Sequence, residues 1–477
     1  MADKVPNIQE NFADWYTYVI LHGGLADYGP VKGTMIFKPY GYAIWKNIKK
    51  ILGGMIEDMG VEDTYFPLFF PSSYLEKEAE HVEGFAPEVA VITHAGGKKL
   101  DKPLVIRPTS ETVMYDAFAK WIKSYKDLPL KINQWANIVR WEKRTQFFLR
   151  TSEFLWQEGH TVHTSKEEAD EMVFAALDLY EKFMFEVLGM YGVKGYKTSG
   201  EKFAGGLYTT TVETLLKSKK SLQSCTSHHL GQNFSKAFKV QYLDKNNDLQ
   251  YVWQTSWGLS TRIIGGLIGQ HGDEKGLVLP YQVAPVQVVI IPIFKDEEQR
   301  REVSKFANVV KQILDGYNIR AKVDFSDKSP GWKFHEWELK GVPLRIEIGP
   351  NEVRNNEVTV VDRITNTKQK LLKTRNFGED ILSKLSEYHA TMQKQSKDFV
   401  TNLITDVKNE KELVEVLRDK GGYVRVFFKD TKEGADYLQE KYKITPRVVP
   451  FVTYDEVGSD FITGEQGARI TLFAKAY

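Results

Sequence analysis

The chain has almost no sulfur chemistry at its disposal. Of 477 residues a single one is cysteine, Cys225, which excludes an intramolecular disulfide framework and any cysteine-rich zinc site. Charge of one sign is also missing: 64 Lys and Arg stand against 63 Asp and Glu, for a net charge of +1. A general binder of polyelectrolytes should be strongly basic, so any contact with nucleic acid has to use local patches. No apolar run reaches the length of a membrane span. The opening MADKVPNIQENFADWY lacks the apolar core of a signal peptide, and a cytosolic protein is expected. Repeats and low-complexity tracts are absent, and so is the phosphate loop GxxxxGKS/T. A phosphate cradle would therefore be built from arginines. What is present is ordinary globular material, 42% hydrophobic and 27% charged. The length exceeds what one core usually serves, so about two to four domains are expected.

Residues 1–41 carry aromatics and Gly-rich turns, and read as loops laid over a core. Ile44, Ile48, Ile51, Leu52, Met55 and Met59 form one stripe, which predicts an amphipathic helix over Tyr42–Met59 stopped by Gly60. Val61–Phe70 reads as a strand that Pro67 confines to an edge or bulge. The pair is either plain packing or a subunit interface. In VIRPTSE, Val105–Glu111, the strand ends at Pro108. Thr109, Ser110 and Glu111 then read as the N-cap of a helix over Thr112–Tyr125. The functional alternative sets Glu111 against a substrate ammonium.

The densest chemistry lies in Asn137–His163. If the run to Glu142 is extended, Arg140 and Glu142 share a face. A loop with Lys143, Arg144, Gln146 and Arg150 leads to a second strand, Phe154–His160. Such a hairpin can carry a polyanion with Arg140 and Arg150 at its phosphates, or it is a solvated edge. Ser165 and Glu168 predict a capping box for a helix over Lys166–Met190. In Gln223–Gln232, Cys225, His228 and His229 suggest a metal site. Adjacent histidines in a strand face opposite sides, however, and zinc needs three or four converging ligands. His228 therefore reads as a hydrogen-bonding pocket residue. Phe238–Trp253 is a hairpin turned at Asn246–Asp248. Beyond it a strand ends at Ser256, and a helix begins near Leu259 with Arg262 in its first turns. There Arg262 and the positive helix end suit an anionic ligand, the alternative being a surface arginine.

After Pro280 strands and helices alternate: Val286–Phe294, Asp296–Tyr317, Ile319–Phe325, Pro330–Lys340, Pro343–Ile348 and Glu357–Asp362. This predicts a separate α/β domain with a mostly parallel sheet. Lys328, Lys333, Lys340, Arg345 and Arg354 with Trp332, Phe334 and Trp337 give it either a surface for unstacked RNA bases or a solvated face. Asn376–Ser396 is a connecting helix, and the remainder is a small third domain of strands and one helix, Gly434–Tyr442.

RPTSE, the hairpin VRWE…FLRTSEFLWQEGH and SWGLSTR, in order along the whole chain, together resemble a class II aminoacyl-tRNA synthetase. The nearest likeness is to prolyl-tRNA synthetases of archaeal and eukaryotic type. The resemblance implies an α+β catalytic domain with an antiparallel sheet over 1–282. It further implies an α/β anticodon-binding domain over 283–385 and a small α+β C-terminal domain over 386–477. Tyr42–Phe70 looks like the class motif that builds a dimer, Arg140–His160 the second motif and Ser256–Gly269 the third. Thr226–Phe238 is similar to a prolyl-binding signature. Carried over, Thr109 and Glu111 hold the proline imino group, and Arg140 holds the α-phosphate and the prolyl carboxylate. Arg150, Gln223, Ser260 and Arg262 contact ATP, with Phe154 a stacking partner for adenine. Trp156, Glu158, Thr226 and His228 wall the proline pocket. Arg140, Glu142 and Arg262 form the catalytic set, and Tyr477 tucks back toward the site. Implied partners are L-proline, ATP with Mg²⁺, tRNA(Pro) and a second copy of the chain. The C-terminal stretch lacks the cysteines that bind zinc in many relatives, so no structural zinc is expected. The interval from the hairpin to Arg262 is too short for a large editing insertion. The competing readings are a sister enzyme for threonine, glycine or histidine, and a silent tRNA sensor. Retention of Arg140, Glu142 and Arg262 together speaks against the sensor.

Overall fold

The computed structural model describes residues 5–74 and 89–477. Among them a 12-stranded sheet carries most of the architecture. Its strands in chain order are β1 (Glu62–Thr64), β2 (Leu130–Val139), β3 (Glu153–His163), β4 (Val193–Tyr196), β5 (Tyr208–Leu215), β6 (Ser221–Gly231), β7 (Trp253–Ser260), β8 (Ile404–Asp406), β9 (Tyr423–Phe428), β10 (Thr445–Pro450), β11 (Val457–Ser459) and β12 (Gln466–Ala474). The spatial order is β8-β9-β12-β10-β4-β5-β6-β7-β3-β2-β1, with β11 on β12. Pairing is antiparallel except for β1 with β2 and β8 with β9. The register sets Trp156 opposite Ser260, Glu158 opposite Gly258, His160 opposite Ser256, and His228 opposite Ser256. The two-residue period of a strand therefore gathers these side chains on one face. The other face packs on the helix Lys166–Lys182. Gly159 is required there, because a Cβ would lie 2.2 Å from the Trp257 ring.

Residues 1–41 are not loops, as far as they are described. Phe12–His22 forms helix α1, with Trp15, Tyr16, Val19 and Ile20 buried in the main core, and a small hairpin follows. The sequence signal was masked by aromatics in place of aliphatic residues. Helix α2 runs Pro39–Glu57, starting earlier than expected because Pro39 supplies a ready-made first turn. The strand expected over Val61–Phe70 is two strands in two sheets. β1 joins the large sheet, while Phe69–Pro71 pairs with Lys98–Ile106 in a separate one. Pro67 between them lacks the N–H that would continue a ladder. Helix α3 spans Glu111–Trp121 and helix α4 spans Lys166–Lys182. Ser165 accepts from the Glu168 amide at 3.2 Å, but the Glu168 carboxylate reaches Thr164 rather than Ser165. After Lys182 the helix loosens into a π turn, Phe183–Val187.

The second body has its own core around Val288, Ile290, Val310, Ile346 and Val360. Its sheet runs Ala321–Val323, Val288–Pro292, Leu344–Ile348, Glu357–Asp362, Lys368–Leu372. The first three strands are parallel and the last two antiparallel, so the sheet is mixed rather than mostly parallel. The last two strands meet across a short turn that uses Asn366 at φ 56°, which leaves no length for a crossover helix.

The expected basic-aromatic surface is largely turned inward. Lys333 is buried and donates to the Asp324 carbonyl at 2.9 Å. Trp337 is buried and donates to the Asp324 carboxylate at 2.8 Å. Arg345 pairs with Glu338 and Glu347, both at 3.0 Å, and lies over Phe334. Lys340 pairs with Glu336 at 2.8 Å. Lys328, Trp332 and Arg354 remain at the surface.

Phe377–Asn402 is one long helix. Beyond it the chain holds two helices, Glu410–Asp419 and Lys432–Tyr442. The first was missed although Asn409 caps it and Leu413, Val416 and Leu417 recur at helical spacing. The C-terminal strands do not stand apart. β10 pairs with β4, setting Val449 against Tyr196 and Pro450 against Gly195. Gly195 is obligatory at this seam, since a Cβ would meet the Val449 carbonyl at 2.1 Å.

Candidate active site

The front face of β3, β6 and β7 floors a pocket of about 210 Å³. Thr109, Glu111, Arg140, Phe154, Trp156, Glu158, Gln223, Thr226, His228, Ser260 and Arg262, each singled out in the sequence, line it. Glu142 and Arg150 do not. They pair with each other at 3.4 Å in the loop between the hairpin strands.

Three local expectations are corrected. β2 ends at Val139, so Arg140 and Glu142 do not share an extended face. The Arg140 backbone still pairs with Ser152 at 2.9 Å, and its Nε donates to the Pro108 carbonyl at 3.0 Å. That bond swings the guanidinium over Phe154 and Trp156, 5.6 Å from each ring. Secondly, Ser110 does not cap α3 with its side chain. Its hydroxyl donates to Glu158 at 2.5 Å, and the Thr109 hydroxyl donates to Glu111. A cap would have the hydroxyl accept from a backbone N–H; here it is turned to donate to a buried carboxylate, a charge-assisted hydrogen bond. Thirdly, β7 continues to Ser260, and Arg262 is the first residue of helix α5, Arg262–His271.

One end of the pocket is acidic and buried, and its Glu158–His160 pair is hydrogen-bonded throughout. Glu158 accepts from Ser110 and from Gln134 at 2.8 Å, and meets His160 Nε2 at 3.1 Å. The His160 Nδ1 meets the Tyr115 hydroxyl at 3.3 Å. Burial alone pushes the Glu158 carboxyl up, but His160, Ser110 and Gln134 outweigh it and hold it below the usual range. Burial likewise pulls His160 down, and Glu158 and Glu111 outweigh that and raise it. Each thus biases the other toward its charged form inside the protein. His228, bonded to the Thr209 hydroxyl at 2.9 Å, is driven down to about 3 by burial and by the charge of His160, so it is neutral.

The other end is cationic: Arg140, Arg150 and Arg262 outnumber Glu142, which pairs with Arg150. Arg262 donates from Nε to the Leu149 carbonyl at 3.1 Å. Burial, then Arg140 and Arg150, push it down to about 10. It stays charged, beside two like charges, where an anion would relieve all three. Tyr477 also comes here. Its amide donates to the Ser221 carbonyl at 3.0 Å, and its ring packs on the main core. Burial raises its hydroxyl, while the charges of Arg150 and Arg262 pull the other way.

A metal centre on Cys225, His228 and His229 is not formed. His229 points to the opposite face, 3.5 Å from Asp170, and burial pushes the Cys225 thiol up, keeping it neutral. Among the described residues the group spaced to hold a metal is Glu111, Glu158 and His160. Hydrogen bonds to Thr109, Ser110, Gln134 and Tyr115 already engage those groups.

The sequence reading missed His160, Gln134, Ser110 and Phe203. Continuing the period of Trp156 and Glu158 by one step would have found His160. Gln134 needed the strand register, and Phe203 lies in a loop with no local signal.

Residues 94–271 match the tRNA synthetase class II core domain (G, H, P, S and T), and residues 287–384 match an anticodon binding domain. The chain is 44% identical to a proline–tRNA ligase of Chlorobium phaeobacteroides, covering 100% of both. It is 43% identical to a chloroplastic/mitochondrial proline–tRNA ligase of Arabidopsis thaliana, over 98% of this chain and 87% of that one. A crystal structure of prolyl-tRNA synthetase from Cryptosporidium parvum, complexed with halofuginone and AMPPNP, superposes with a TM-score of 0.94. It is 39% identical and covers 99% of each chain. With its pocket on an antiparallel sheet, its anticodon-binding body and full-length relatives of this kind, the chain belongs to the prolyl-tRNA synthetases, within class II of the aminoacyl-tRNA synthetases.

Proposed function

We propose that the chain activates L-proline with ATP to prolyl-adenylate and transfers the prolyl group to the 3′-terminal adenosine of tRNA(Pro), releasing AMP and diphosphate, and that the two ends of its pocket divide this work. The observation that carries the reading is the meeting, in one cavity of about 210 Å³, of a buried acidic end and a cationic end. Glu111 and Thr109 take the imino group, while Trp156, Glu158, Thr226 and His228 enclose the ring. Phe154, Gln223, Ser260, Arg150 and Arg262 take ATP, and Glu142 holds Arg150 in place. Arg140 stands between the ends, where one guanidinium fork serves both the carboxylate and the α-phosphate.

A proline carboxylate is already ionised at neutral pH, so it attacks the α-phosphate without a general base. Catalysis is then positioning plus neutralisation of the charge on the phosphates. Mg²⁺ arrives with ATP and adds to that neutralisation. A carboxylate meeting the secondary ammonium of proline gains charge-assisted hydrogen bonds that a neutral ring analogue forfeits. We also propose that residues 1–282 perform activation, 283–385 read the anticodon and 386–477 dock onto the catalytic sheet. Residues 386–477 contain no cysteine, which supports the absence of structural zinc. The short interval from β3 to β7 and the inserted Tyr477 support the archaeal and eukaryotic architecture, which on this reading bacterial relatives share. A homodimer acting in the cytoplasm completes the proposal. No helix among the described residues is long and apolar enough to cross a membrane.

Amino-acid-dependent ATP–pyrophosphate exchange across all twenty amino acids tests the assignment. Proline should drive exchange far above the rest. Exchange with threonine in preference to proline, or one tightly held zinc per chain by elemental analysis, would overturn it.

A further inference from the structure

Three charged side chains that the proposed mechanism does not use lie buried together at the seam between the catalytic strands and the C-terminal strands. Glu213 on β5 is fully buried. Arg447 on β10 grips it with Nη2 at 3.0 Å from both carboxylate oxygens, and Lys197 stands 3.2 Å away. Lys197 also donates to the Arg447 carbonyl at 3.0 Å. The cluster thus joins residues far apart in sequence, one of them from the C-terminal stretch. A buried ion cluster rarely adds net stability over apolar packing of the same shape, and its value lies in admitting one arrangement.

The arrangement leads to the pocket. The second oxygen of Glu213 accepts from the Ser221 hydroxyl at 2.7 Å, and that hydroxyl meets the Tyr423 hydroxyl of β9 at 2.9 Å. The Ser221 backbone in turn holds the chain end: its amide donates to Lys475 at 2.9 Å, and its carbonyl accepts from Tyr477 at 3.0 Å. Ser221 lies two residues before Gln223, which lines the pocket and sits opposite Glu213 across an irregularity in the β5–β6 ladder.

We propose that the Lys197–Glu213–Arg447 cluster is a positioning device for the nucleotide end of the pocket, docking the C-terminal strands and, through Ser221, setting the place of both Tyr477 and Gln223. The cluster touches no reacting atom and acts through those two residues. A separation follows: loosening it should disturb ATP and spare proline. This rests on the assignment of Arg262 and Gln223 to ATP.

The test uses the full chain with Arg447→Met, Ser221→Ala, removal of Tyr477, and the pairwise combinations, read by pyrophosphate exchange. Arg447→Met should raise KM for ATP about two- to thirtyfold, the range of coupling through packed networks, with KM for proline unchanged. In that background, removing Tyr477 should add almost nothing, because both changes break one path. If Arg447→Met fails to fold, Ser221→Ala carries the test, since it leaves the ion pairs whole. Equal rises in both KM values, full additivity with Tyr477 removal, or an unchanged KM for ATP overturns the proposal. Arg262→Ala separates the two levels. Normal exchange in that variant sinks the assignment of the nucleotide end, whereas impaired exchange beside a normal Arg447→Met and Ser221→Ala sinks the positioning role alone.

Discussion

The two ends of the pocket lie on one sheet face and are built on opposite principles. At the acidic end every polar atom of the Glu158–His160 pair has a partner before any ligand arrives. At the cationic end burial, and then Arg140 and Arg150, press on Arg262. The first is rigid because its hydrogen bonds are satisfied. The second is primed because positive charge is in excess there, three arginines to one paired acid, and it gains most when an anion binds. Selection among similar small molecules needs fixed donors and acceptors, whereas stabilising a charge that develops during reaction needs fixed charge already in place.

Breaking the cationic end should have the largest effect. Arg140→Ala or Arg262→Ala should lower proline-dependent exchange by about 10²–10³-fold, as loss of one preorganised donor costs about 2.7–4 kcal/mol. Circular dichroism should show the fold intact, and near-normal exchange would contradict the contrast. Breaking the acidic end should cost less and fall on one substrate. Ser110→Ala leaves Glu158 with a missing donor in a dry site, at about 1–3 kcal/mol. KM for proline should rise about 10- to 100-fold, with KM for ATP unmoved.

A smaller effect concerns pH. His228 is neutral and buried, with its folded-state value near 3, below the ordinary 6.5. The unfolded chain therefore binds more protons as pH falls below about 6.5, and stability drops on acidification toward 3. This group alone contributes a slope of about 1.4 kcal/mol per pH unit in that window. His228→Gln should flatten the dependence of the urea midpoint between pH 7 and 5, while His271, held near 3 by burial, keeps part of it. The smallest effect on activation should come from outside the pocket. Trp332 is 45% exposed on the second body, so Trp332→Ala should leave exchange at the wild-type level and lower charging of tRNA. Lys333→Ala should instead lower the melting temperature, because it removes the ammonium that bonds the Asp324 carbonyl.

Lys333 and Trp332 also show where sequence reading stops. Both stood in one basic-aromatic run, and helical spacing turned one inward and left the other in water. In the pocket the reading was better, because strand alternation carries Trp156, Glu158 and Ser260 to one face without further information. Ser110 was legible as a cap, and its local chemistry supports that reading. Only the approach of β3 supplied the carboxylate that took its hydroxyl away. The helix Glu410–Asp419 escaped notice although Leu413, Val416 and Leu417 recur at helical spacing and Asn409 caps it, so both signals were present in the sequence.

By itself the sequence determined the periodicities, the order of motifs and therefore the family, since these depend on residues near one another along the chain. It also showed that no glycine loop of the GxxxxGKS/T kind is on offer, which is why arginines are expected at any phosphate. Tertiary structure decided which charges are paired. Glu158 finds His160 locally, but it finds Gln134 and Ser110 only through strand register and loop placement. Glu213 finds Arg447 only because β10 docks on β4. The physical reason is that pairing is a matter of a few ångströms and of exclusion of water. Neither is a property of a residue or its neighbours in sequence, and both are set when distant strands close on one another.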